Sequence, residues 1–183
     1  MVVLIIILIV VVLLALVGFG MYNGLIKLRN RVENSWAQID VQLKRRNDLI
    51  PNLVETVESY AKYEKGTLDA VITARNQVQT AATPRDTANA DAALTASLRQ
   101  VFALSEAYPD LKANQNFLAL QEELTATEGR VAYARQFYND SVLQYNTKLQ
   151  AFPTVFYARL LKFDKREYFE ADEASREVPK VQF

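Results

Sequence analysis

"LKRRNDLIPNLVETV", residues 43–57, sets three cations side by side and then a proline inside apolar spacing that is otherwise helical. On both sides of Pro51 the apolar residues keep one phase. Ile39, Leu43, Ile50, Val54, Val57, Ala61, Leu68 and Ile72 recur at steps of three, four or seven. A proline that opens a new helix normally follows a capping side chain, and Ile50 offers none. The spacing therefore predicts a helix that continues through Pro51, kinked there, with the carbonyl of Asn47 released from its usual donor. Such a carbonyl is open to an arginine or to water. The same periodicity carries this first helix over 27–80, with Gly66 a local weakness of about 1 kcal/mol rather than a stop.

Toward the C-terminus, "TAATPRDTANAD" (80–91) interrupts the pattern with small, polar and proline residues. A second helix is expected over 88–107, and "YPD" (108–110) turns the chain again. A third, over 112–152, shows the clearest stripe: Phe117, Leu120, Leu124, Val131, Tyr138, Val142, Tyr145, Leu149 and Phe152, ending at Pro153. A short helix over 154–162 and an extended tail over 164–183 complete the chain. Leu43, Ile50 and Val57 from the first helix, with Leu124, Val131, Tyr138 and Tyr145 from the third, form the expected core. The tail residues Tyr168, Phe169 and Phe183 need burial on the bundle or against a neighbouring subunit.

Toward the N-terminus, residues 1–22 read "MVVLIIILIVVVLLALVGFGMY" without a charge. At the helical rise they reach roughly 33 Å, enough to cross a hydrocarbon core. A cleaved signal peptide would carry a basic start and a small-residue cleavage site, and this stretch has neither. The reading is a retained anchor over 1–26, a bundle over 27–163 and a tail over 164–183. The fold class is all-α: an N-terminal transmembrane helix, an antiparallel bundle of three long helices, a short C-terminal helix and an extended tail. Lys27, Arg29 and Arg31 follow the span and no cation precedes it. The positive-inside rule then places the N-terminus outside and the domain in the cytoplasm, on a single pass. Gly20 and Gly24, four apart, allow close approach of another membrane helix.

Composition narrows the chemistry. The 183 residues carry 21 basic and 21 acidic side chains, which gives no electrostatic case for nucleic acid. Histidine and cysteine are absent. That removes imidazole bases, thiol nucleophiles and the Glu-x-x-His pairs of di-metal bundles, so no cofactor, metal or catalytic residue is expected. What breaks the stripes instead is polar: Arg46 and Asn47 beside Pro51, Glu64 further along, and Glu128 on the third helix. Polar groups at a bundle seam can fix register at a cost in stability.

Three stretches together resemble the LemA family of bacterial membrane proteins. They are "NSWAQIDVQLKRRNDLIPNLVETVESYAKYE" (34–64), "LTATEGRVAYARQFYNDSVLQYNTKLQAFP" (124–153) and "YFEADEASREVPKVQF" (168–183), all behind an N-terminal span. The resemblance implies a long-helix bundle on a single-pass anchor and supplies no enzymatic activity; some members are linked to building specialised membranes. Two functions fit these readings. One is a self-associating membrane scaffold, a homo-oligomer whose first partner is the bilayer. The other is an adaptor that brings a partner such as a membrane protease or envelope complex to that bilayer.

Overall fold

The computed structural model describes residues 1–170, and among them every regular element is helical. In chain order these are α1 (Val2–Glu58), α2 (Lys65–Thr80), α3 (Pro84–Leu104), α4 (Pro109–Lys112), α5 (Gln115–Gln150) and α6 (Thr154–Leu160). The all-α architecture with an apolar N-terminal helix is as the sequence predicts. Two compact units are present: Met1–Ala37 with Phe137–Glu167, and Gln38–Gln136 with the described residues from Tyr168.

In the first unit the start of α1 meets the end of α5 and the segment after it. Arg31 donates to the Gln144 side chain at 3.2 Å, and the Trp36 and Tyr138 rings lie 5.4 Å apart. Rising numbers on α1 thus meet falling numbers on α5, so the two run antiparallel. Tyr138 and Tyr145 are buried here. The Tyr138 hydroxyl donates to the Glu167 carbonyl at 2.9 Å, and Asn146 grips the Arg166 backbone through both its amide atoms at 2.9 Å. These bonds secure the extended stretch after α6.

The second unit is a bundle of α2, α3, the later turns of α1 and the earlier turns of α5. Leu43, Ile50, Val57, Leu124 and Val131 are buried in it, with Leu68, Leu94, Leu98 and Phe117. Asn114 opens α5 by accepting the Phe117 N–H on its side-chain oxygen at 3.0 Å. Its amide donates to the Tyr60 hydroxyl at 2.9 Å, at the far end of α1.

Helix boundaries differ from the expected ones. The helix predicted over 27–80 is two helices, and the chain reverses at 59–64. The N–H groups of Tyr60 and Ala61 both bond the Val57 carbonyl, at 3.0 and 2.8 Å, which tightens and closes the last turn of α1. Ala61 within the corner and Leu68 beyond it are both buried, so their seven-residue spacing spans a turn rather than a helix. The helix expected over 88–107 begins at Pro84. Thr83 caps it, accepting the Asp86 N–H at 3.1 Å while its hydroxyl donates to the Asp86 carboxylate at 2.8 Å. Proline at the first helical position suits its missing N–H. The third long helix starts at Gln115 and stops at Gln150, short of Pro153.

Candidate functional site

Arg46 and Asn47 sit on the inward side of α1 at 1% and 4% exposure. A guanidinium taken out of water needs a carboxylate and hydrogen bonds to offset the lost hydration. Arg46 Nη1 donates to Asp91 Oδ1 of α3 at 2.8 Å, and its Nη2 lies 3.8 Å from Glu128 Oε2 of α5. Arg99 of α3 approaches the other Glu128 oxygen at 3.6 Å. One arginine thereby ties three helices at one level of the bundle. Burial pushes the Asp91 carboxyl above its ordinary value. The charge and hydrogen bond of Arg46 oppose that push, as does the Arg135 charge.

Pro51 lies within α1 one turn further on. The carbonyl it leaves unbonded, that of Asn47, accepts from Arg75 Nε of α2 at 3.1 Å. The proline and the buried arginine are therefore neighbouring parts of one polar layer. Among the described residues, Arg46 Nε and Asn47 Oδ1 are buried with no hydrogen-bond partner in the protein. A cleft of about 350 Å³ runs beside the layer between α3 and α5, lined by Asp91, Thr95, Arg99, Glu128 and Arg135 among others. Its two cations and two anions offset one another, so it presents no strong field to a charged ligand. Both carboxylates are engaged by guanidinium groups. This arrangement suits holding helices in register rather than moving protons.

Arg46, Asn47 and Glu128 come together as a group. Glu64 does not join them: it sits at the corner after α1, where it accepts the Tyr108 hydroxyl at 3.1 Å. Its place in the apparent stripe reflected the same corner that divides the predicted helix. Asp91, Arg75 and Arg99 escaped the sequence reading. A signal for Asp91 existed, because Leu94, Leu98 and Val101 extrapolate back to it at helical spacing. An acid in that phase, surrounded by alanines, marks a buried partner.

The remaining candidates lie elsewhere. A Cβ built on Gly20 or Gly24 meets nothing within 4 Å, so that side of α1 is open. Tyr168 is half-buried and Phe169 fully buried, whereas Phe183 lies outside the described residues. A second groove, of about 630 Å³, is lined by Asn52, Glu55, Thr56, Tyr60, Asn114 and Asn116 among others.

Comparison with known proteins gives two findings. The model of the LemA family matches residues 35–183. The chain is also similar to Protein LemA of Metamycoplasma hominis, with 24% identity over 158 residues that cover 86% of this chain and 72% of that one.

Proposed function

The chain belongs to the LemA family, and from that premise we propose that it is a membrane-anchored structural protein that self-associates and catalyses no reaction of its own. One observation carries the reading. Every residue from Met1 to Val17 is exposed, and nearly all are large and apolar. Water does not tolerate an apolar surface of that extent on a stable monomer, and a bilayer covers it at once. The cations after the span support a cytoplasmic bundle on a bacterial inner membrane. The open glycine side of α1 supports pairing of spans. The test is the mass of the full chain in mild detergent. A multimer is expected, reduced by Gly20→Leu combined with Gly24→Leu. A monomer whose mass those changes leave alone would overturn self-association.

The 630 Å³ groove favours a second reading, an adaptor that holds another protein. Its lining is rich in amides and hydroxyls, which suits a polar partner surface. A one-to-one complex with a different membrane protein, in place of the homo-oligomer, is what that reading expects.

A further inference from the structure

α6 and its flanks expose apolar side chains that a water-facing helix would shed. Phe152, Phe156 and Leu160 are 83%, 64% and 77% exposed, and they recur at steps of four along one edge. The rings of Phe152 and Phe156 meet edge to face at 6.1 Å, which makes a continuous apolar rim. The opposite side of α6 is anchored. Thr154 and Ala158 are buried, and Tyr157 lies so close to Gly18 that a Cβ there would be 3.1 Å from its ring.

That contact sets the depth of α6. Gly18 precedes the first charge, Lys27, by nine residues, or about 13 Å of helix. The chain then returns along α1, with the Phe163 and Tyr22 rings at 6.0 Å and Arg166 near Glu33 at 3.3 Å. Charge follows the same path. None occurs from Leu149 to Ala158, while Lys148, Arg159 and Lys162 flank that stretch and Asp164, Lys165, Arg166 and Glu167 beyond it balance in charge.

We propose that residues 152–161 form a re-entrant wedge: the Phe152–Phe156–Leu160 edge inserts into the lipid leaflet that surrounds the end of the span, Arg159 snorkels from it to the headgroups, and Lys148 and Lys162 at its two ends rest on anionic headgroups. This rests on the membrane reading given above. Continuity with the span selects the bilayer as the occupant, since α6 packs against residues that lipid already surrounds. The backbone can enter. Val155, Leu161 and Phe163 N–H groups bond to carbonyls within the segment or just before it at 2.9 Å, which lowers the cost of meeting hydrocarbon. Between α6 and α1 lies a cleft of about 540 Å³, lined by Leu14, Gly18, Phe19, Tyr22, Tyr157 and Leu161 with Ala15. Its walls are almost wholly hydrocarbon and suit an acyl chain.

The absence of native cysteine makes the test direct. Phe156→Cys and Leu160→Cys carry an environment-sensitive fluorophore in the full chain, reconstituted in phosphatidylethanolamine and phosphatidylglycerol vesicles. Val10→Cys serves as the reference in the span and Tyr133→Cys as the reference in water. Emission at 156 and 160 is expected to shift to the blue and to be quenched by spin labels on lipid acyl chains, as at 10. Aqueous iodide is expected to quench only 133. Quenching of 156 and 160 by iodide, with 10 still quenched by lipid, overturns the wedge and leaves the anchor standing. Protection of 156 and 160 from both quenchers assigns the edge to a second copy and also overturns it. Iodide quenching at 10 removes the anchor, and the wedge with it.

Discussion

Arg46 and Asp91 hold one another in a place neither would occupy alone. Removing one partner from such a pair leaves a buried charge uncompensated, at a cost of about 3–5 kcal/mol. Asp91→Leu, which removes both the charge and the acceptor, is accordingly expected to lower stability by about that amount in chemical denaturation, whereas combining it with Arg46→Met recovers most of it. A double variant as unstable as the sum of its singles would show that Arg46 matters for its packing, not for the pair. The direction of the Asp91 shift adds a pH signature. Because burial raises its folded pKa above the ordinary 3.8, the folded state holds this proton more tightly than the unfolded chain does. Its contribution therefore declines as pH rises from the ordinary value through the raised one, and is level above both. Asp91→Asn is expected to remove that slope.

α1 contains a proline where a helix ordinarily loses about 3 kcal/mol. Here the bond lost at the Asn47 carbonyl is replaced by the donor from Arg75, so the element and its neighbour share one solution. Pro51→Ala would return a backbone donor to that carbonyl in competition with Arg75. Arg75→Ala is expected to cost about 1–2 kcal/mol in the parent chain and distinctly less in the Pro51→Ala background. Equal costs in both backgrounds, measured by denaturation in detergent, would separate the two residues. Continuation of the helix past Pro51 was legible because Ile50 cannot cap and the apolar phase is unbroken. The corner at 59–64 was not, because burial of Ala61 within it and of Leu68 just beyond it imitates further helical turns. Arg46 stood in the stripe as a polar break, and its place there left burial and a reach to the surface equally open. Its partner came from α3, and pairing between distant elements leaves no mark in local periodicity.

For the molecule in its membrane, the flanking cations make a definite expectation. A reporter fused after Phe183 is expected to be active in the cytoplasm, and Lys27→Glu with Arg29→Glu to weaken that bias. Arg31 is better left in place, since it bonds Gln144 and covers the Phe137 ring at 5.4 Å. Activity of the unaltered fusion on the far side of the membrane would reverse the assignment. The same stretch has a mechanical consequence. α1 passes from the apolar residues to Ala37 without a joint, so the anchor is a shaft and not a tether. A tethered domain can swivel freely above its lipid; a shaft cannot. A tilt imposed on the span would therefore also tilt the turns of α1 that carry Trp36 and the α5 residues packed against it.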